Sequence, residues 1–271
     1  MEKIRIGFLG LGNMASAIVE GMSKSPNFDH FILSGFDQHS NKFEQLNTPQ
    51  EIIKKDDSLE TFLKNNKVIF LGIKPQSLTK FARDCVDNPK YTALWTDKVI
   101  ISMLGATNLE QLTKTFHHTN IIRIMPNINA AISQATSAIC ASNQELISRY
   151  EMILNSFGDT YLIDEKDFEL FAAISGSAPA MVYLFIDAIA NSAVKQGMKK
   201  ALATKIVSSM VEASGAYVQE KLAPNQNARN LVDVVASPGG TTIKGILSLE
   251  KNKFAGSLNQ AIEAMLVKDK N

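Results

Sequence analysis

Cysteine is scarce, with only Cys85 and Cys140 in 271 residues, and their spacing makes neither a metal knuckle nor a disulfide framework. Both read as buried thiols. Charge of one sign is missing too: 28 Lys and Arg against 27 Asp and Glu leave a formal net charge of +1. Such a chain has no broad field to attract nucleic acid or an anionic membrane, so a small molecule is the expected partner. No run approaches the roughly 18 uninterrupted apolar residues of a membrane span. The stretch Lys3-Ile4-Arg5-Ile6-Gly7-Phe8-Leu9 lacks the long apolar segment and small-residue cleavage site of a secretory signal. By elimination the expected address is cytoplasmic. Four histidines, His30, His39, His117 and His118, show no metal-ligand or Ser-His-Asp spacing, and no metal is expected.

What is present suits a folded chain. With 45% hydrophobic and 20% charged residues the composition excludes wholesale disorder, and the length favours two domains. Short apolar runs alternate with longer mixed stretches in the first half, which is the rhythm of repeated strand-helix units. Strands are expected at Ile4–Leu9, Phe31–Phe36, Val68–Ile73, Val99–Met103, Ile121–Met125, Ser137–Ala141 and Thr160–Ile163. Several are almost continuous Val, Ile, Leu and Phe, as strands are when helices cover both faces of a parallel sheet. The expected fold class is α/β, with an N-terminal Rossmann-like, doubly wound, mostly parallel sheet.

Past Ile163 the pattern changes. Helices are expected at Phe168–Ile174, Pro179–Gln196, Leu202–Lys221, Ala228–Val235 and Leu258–Val267, with no further strand. Residues 1–164 are therefore expected to form a dinucleotide-binding domain and 165–271 an all-helical one. The segment Ala180–Ala193 is apolar almost all round, more than a small helical domain can bury alone, which points to a homo-oligomer built through these helices. A central helix of a compact monomer is the alternative.

Gly7-Phe8-Leu9-Gly10-Leu11-Gly12-Asn13-Met14-Ala15 follows the first strand and opens a helix. Within it Gly10-x-Gly12-x-x-Ala15 is the G-x-G-x-x-G/A pattern of dinucleotide binding in the required context. Gly10 permits the tight turn, Gly12 lets the backbone approach the pyrophosphate, and Ala15 lets helix and strand pack closely. Free N–H groups at the helix start, around Asn13 and Met14, would bind the phosphate charge. Asp37, near the end of the second strand, can accept the ribose hydroxyls of NAD. Lys42, Ser40 and His39 could instead tolerate the 2′-phosphate of NADP, and Asp37 could simply cap the next helix.

Four further segments follow strands or helices where ligands bind. Lys74-Pro75-Gln76 and Met125-Pro126-Asn127 each leave a strand end, with Lys74, Pro75, Met125, Pro126 and Asn127 as candidate cofactor residues. Proline that merely stops a ladder is the plain alternative. Ile174-Ser175-Gly176-Ser177-Ala178-Pro179-Ala180 is expected to interrupt one helix and start another. Ser237-Pro238-Gly239-Gly240-Thr241-Thr242 joins two helices, and its backbone donors and hydroxyls could hold a carboxylate or only cap a helix.

Together and in order, these five segments resemble pyrroline-5-carboxylate reductases over essentially the whole chain. The resemblance implies an N-terminal Rossmann domain, a helical C-terminal dimerisation domain, and a homodimer or larger assembly of dimers. It implies NADPH or NADH as hydride donor, 1-pyrroline-5-carboxylate as substrate and L-proline as product. By the same resemblance, Thr242 is the catalytic hydroxyl at the ring nitrogen. Gly239, Gly240 and Thr241 accompany it on the substrate carboxylate, and Ser175 and Ser177 line the wall between nicotinamide and substrate. A serine before a helix that begins at proline is also an ordinary cap, which is the alternative for both. Three departures bear on substrate preference: Ala178 where the family usually has Gly, Met181 where it has Tyr, and Ile128-Asn129 where Thr-Pro is common.

Two rivals share parts of this pattern. A β-hydroxyacid dehydrogenase would need an acid-base lysine early in the helix after Pro179, which has none until Lys195. A non-catalytic dinucleotide sensor would have no use for Ser237 to Thr242.

Overall fold

A computed structural model describes residues 3–37, 42–44, 46, 49, 51–223 and 226–266. His39, Ser40 and Val267, singled out above, lie outside these residues. Contacts divide the chain into two compact units, Met1–Ser177 and Ala178–Asn271.

The first unit runs β1 Ile4–Leu9, α1 Asn13–Ser23, β2 Phe31–Phe36, β3 Ile53–Lys55, α2 Leu59–Asn65, β4 Val68–Leu71, α3 Leu78–Phe81 and α4 Thr92–Trp95. It continues through β5 Val99–Ser102, α5 Leu109–Phe116, β6 Ile121–Met125, β7 Ala135–Ala141, α6 Glu145–Leu154, β8 Gly158–Leu162 and α7 Phe168–Phe171. The strands form one sheet in the order β3-β2-β1-β4-β5-β6-β7-β8, parallel throughout except for the antiparallel pair β6 and β7. The strand order reverses between β1 and β4, and a doubly wound sheet binds its ligand at the carboxyl ends flanking that point.

Alternate residues of each central strand feed two cores. In β4, Val68 and Phe70 join Ile18 and Met22 of α1 and Ile153 of α6, while Ile69 and Leu71 join Phe62 of α2, Trp95 of α4 and Leu112 of α5. Both faces are thus dry, which is why these strands are written as unbroken apolar runs. The expected strands are all present, three with the expected bounds (β1, β2 and β6) and four with shifted ends. β4 ends at Leu71, and the Gly72 N–H donates to the Leu9 carbonyl at 2.9 Å as the last rung of its ladder with β1. β3 is an addition that Ile-Lys-Lys did not announce. It lies at the sheet edge, where only Ile53 is buried.

Among the described strand residues one charged side chain is buried inside this apolar pattern. Arg123, in Ile-Ile-Arg-Ile-Met of β6, is 5% exposed. Its Nη1 donates to Glu165 Oε1 at 2.6 Å, and its guanidinium lies 4.5 Å from the Phe168 ring centre. The same Glu165 oxygen accepts the N–H of Leu109 at 2.7 Å, an anion placed on the start of α5. Removing the carboxylate leaves the buried cation without its partner, which commonly costs several kcal/mol. Glu165 itself is one-third exposed, so water reduces that cost. Glu165→Ala is expected to lose about 2 to 3 kcal/mol in denaturant unfolding. An unchanged midpoint would mean that Arg123 is solvated some other way.

The second unit is α8 Pro179–Lys195, α9 Lys200–Lys221, α10 Ala228–Val235, α11 Thr241–Lys251 and α12 Phe254–Leu266. Among the described residues no strand follows Leu162, as expected for an all-helical second half. The Lys200 ammonium pairs with Asp187, fastening the start of α9 to α8. Among the hydrophobic side chains described in this unit, only Ala190, Ala203 and Val207 are buried, whereas Leu184 is 71% and Val234 70% exposed.

Candidate active site

The glycine-rich turn is built around the reversal of strand order. Gly10 has φ +90° and donates to the Phe36 carbonyl at 2.9 Å. A Cβ added there would lie 2.9 Å from the Gly72 carbonyl oxygen, so the exits of β1 and β4 touch backbone to backbone. Leu11 donates its N–H to Asp37 Oδ2 at 2.7 Å, a charge-assisted bond that draws the end of β2 onto the turn.

Gly12 then serves as N-cap of α1, with φ −73° and ψ 178° and no capping side chain. Among the described residues, nothing beyond its chain neighbours lies within 4 Å of the position its Cβ would take. The first turn of α1 carries no acidic residue, and Ala15, 1% exposed, lets the helix lie close to the sheet. An uncapped helix start with open space before it is a place for an anion. The donor set therefore fits a dinucleotide pyrophosphate, with Asn13 and Met14 in the first turn. Leu11, Asn13, Ser16, Lys42 and Ile128 line a cleft beside it.

Lys74 and Pro75 follow β4 as an exposed turn, Lys74 being the N-cap of the short helix Pro75–Ser77. Met125 ends β6 half-buried, and Pro126 and Asn127 are buried. The Asn127 carboxamide points inward: Oδ1 accepts the N–H groups of Asn129 at 3.2 Å and Thr136 at 3.4 Å. Its Nδ2 donates to the Ser175 carbonyl at 3.3 Å and to Ser175 Oγ at 3.4 Å.

Ser175 and Ser177 are not at a helix break. Residues Ala172–Ser177 form a π-helical turn between α7 and α8 within a helical run from Glu165 to Lys195, so the expected interruption is a widened turn rather than a gap, while a new α-helix starts at Pro179 as expected. The residues that suggested a break, Ser-Gly-Ser-Ala-Pro, are accommodated by widening the helix. Ser175 is half-buried with its Oγ 3.3 Å from the Thr136 carbonyl, and Ser177 is exposed.

In the second unit, the Ser237–Gly240 turn is closed by the Gly240 N–H on the Ser237 carbonyl at 3.1 Å. Gly239 has φ +72°, and a Cβ on Gly240 would come within 2.6 Å of Ser237 Oγ. Gly240 is the N-cap of α11, again without a capping side chain and without an acid in the first turn. Thr241 and Thr242 are exposed in that first turn. Each unit thus carries one uncapped helix start entered through glycine, and both are chemically suited to anions.

The sequence reading missed Arg123, Glu165 and the Thr136 backbone, which hold the segment bearing Ser175. A lone Arg in an apolar strand was the visible signal for the first. Residues 165–271 match the family model described as pyrroline-5-carboxylate reductase dimerisation, and residues 5–106 match that described as NADP oxidoreductase, coenzyme F420-dependent. Pyrroline-5-carboxylate reductase of Pisum sativum is 32% identical over 97% of this chain and 94% of the pea protein. The solved 1-pyrroline-5-carboxylate reductase of Streptococcus pyogenes is 32% identical, with a TM-score of 0.80 over 97% of each chain. Plasmodium falciparum pyrroline carboxylate reductase, solved with NADP bound, is 28% identical with a TM-score of 0.80, covering 98% of this chain and 97% of that one.

Proposed function

Because the chain belongs to the pyrroline-5-carboxylate reductase family, we propose that it reduces 1-pyrroline-5-carboxylate to L-proline with NADPH or NADH. The observation that carries this reading is the glycine turn running into an uncapped α1 beside the reversal of strand order. Resemblance along the whole chain supplies the substrate. When bound, the reduced nicotinamide supplies the hydride that converts the imine carbon to an amine carbon.

The chain's own residues bind and orient. Gly10 shapes the turn, Gly12 admits the pyrophosphate, and the N–H groups at Asn13 and Met14 hold it. Lys74, Pro75, Met125 and Pro126 border the same ligand from the neighbouring strand ends. Asp37, fixed by the Leu11 N–H, suits a ribose hydroxyl, while Lys42 beside the cleft suits a 2′-phosphate. In the helical half, the N–H groups after Gly239 and Gly240 hold the substrate carboxylate, with Thr241 at its side. The Thr242 hydroxyl hydrogen-bonds the ring nitrogen and keeps its proton in place, while Ser175 and Ser177 wall the substrate. A protonated imine is already electrophilic, so no strong acid or base is required of the protein. Holding two reactants in near-attack geometry can supply roughly 7 to 11 kcal/mol in favourable cases.

Residues 165–271 serve as substrate-binding and dimerisation domain. The run Glu165–Lys195 is long and apolar enough by composition to cross a membrane, yet it carries the paired Asp187 in α8. A second copy of the chain is the better cover for Tyr183, Leu184, Val234 and Val235. The assembly is a homodimer or a larger array of dimers, and the reading includes a cytoplasmic address.

The test is direct. Purified protein given 1-pyrroline-5-carboxylate should consume NADH or NADPH, each run separately, with one proline formed per reduced dinucleotide. Consumption of neither would overturn the assignment.

A further inference from the structure

Pro179 has no N–H, so the carbonyl four residues before it, that of Ser175, loses the donor an α-helix would give it. The Asn127 amide reaches that carbonyl from 48 residues away, at 3.3 Å. We infer that Asn127 is a positioning residue for Ser175, substituting its side-chain N–H for the one Pro179 lacks. This rests on the reading that Ser175 borders the substrate.

Three observations support the assignment. Asn127 is 3% exposed and both ends of its carboxamide are engaged within the protein: Oδ1 on the N–H groups of Asn129 and Thr136, Nδ2 on Ser175. Its neighbours on the same side of the strand act on the same helical run. Arg123 holds Glu165 and stacks on Phe168, and Met125 packs in the cluster that contains Phe168. Residues 123, 125 and 127, two apart along β6 and its exit, thus set the place of residues 165 to 175. Finally, the turn they hold is π-helical, a shape that recurs where a helix carries a functional group.

The arrangement also determines what Ser175 can offer. A hydroxyl has one proton and two lone pairs. The proton goes to the Thr136 carbonyl at 3.3 Å, and one lone pair faces Asn127 Nδ2 at 3.4 Å. Towards a ligand Ser175 presents the remaining lone pair, an acceptor suited to an N–H group and unsuited to a carboxylate.

Asn127→Asp tests this by keeping the acceptor half of the side chain and removing the donor half. Dinucleotide affinity would be measured by calorimetry, and kcat and KM for the imine at saturating dinucleotide. The expected result is a fall in kcat/KM for the imine on the order of tenfold to a hundredfold, with dinucleotide Kd unchanged. Pro179→Ala gives a second route should Asn127→Asp fail to fold, because it returns a competing N–H to the Ser175 carbonyl without touching Asn127. It should also lower imine kcat/KM while leaving dinucleotide Kd alone. Unaltered imine kinetics, or a dinucleotide Kd that rises by the same factor as kcat/KM falls, would overturn the inference and return Asn127 to the cofactor. Inactivity of the unsubstituted protein with both dinucleotides would instead sink the reductase reading.

Discussion

Gly12→Val is expected to fold normally and to lose reduced-dinucleotide affinity by on the order of 10²- to 10⁴-fold. Its backbone, at φ −73° and ψ 178°, is open to any residue, and among the described residues nothing beyond its chain neighbours lies within 4 Å of the new Cβ. The branched side chain would therefore project into the space kept for the ligand. Blocking two hydrogen bonds to a phosphate, at roughly 1.5 to 3 kcal/mol each, accounts for the expected factor. Gly10→Ala is the contrast. With φ +90° and the Gly72 oxygen 2.9 Å away, the cost there falls on folding itself. Calorimetric titration paired with thermal melting separates the two. A Gly12→Val protein that melts like the parent and still binds the dinucleotide would remove α1 from the phosphate site.

Thr242→Val should leave dinucleotide affinity and stability intact while kcat falls on the order of tenfold to a hundredfold. Thr242 is exposed in the first turn of α11, and valine keeps its shape while losing the hydroxyl. The loss is confined to the bond with the ring nitrogen, which matters most as charge on that nitrogen changes. Thr242→Ser keeps the hydroxyl and should recover most of the rate. Steady-state constants that do not move in Thr242→Val would take this residue out of the chemistry and leave α11 only its carboxylate-binding turn.

Much of this molecule is legible from its residues because local chemistry was decisive there. β4 is a continuous apolar run and β1, β2, β5 and β6 each carry a single polar residue, since helices cover both sheet faces, and Gly10-x-Gly12-x-x-Ala15 states its steric purpose directly. The capping box of α5, Asn108 with Gln111, and that of α10, Asn227 with Asn230, are likewise local. β3 was not legible. At a sheet edge Lys54 and Lys55 remain exposed, so nothing in Ile-Lys-Lys alternates or repeats.

The candidate site divides along the same line. Its glycine turns, its two uncapped helix starts and the hydroxyl of Thr242 follow from short stretches of chain whose geometry depends on neighbours a few residues away. Ser175-Gly176-Ser177 lies in a widened helical turn whose Ser175 carbonyl accepts from Asn127, 48 residues away. The burial of Arg123 depended on a carboxylate 42 residues further along. A hydrogen bond between distant segments leaves no periodic trace in either of them, because each partner alone is consistent with a loop, a cap or a surface. The amino-acid sequence by itself determined the central strands, the helical second half and the glycine-rich turn, since burial and backbone sterics act on adjacent residues. Only the tertiary structure decided which polar side chains face inward, because that choice waits on the partner that folding brings to them.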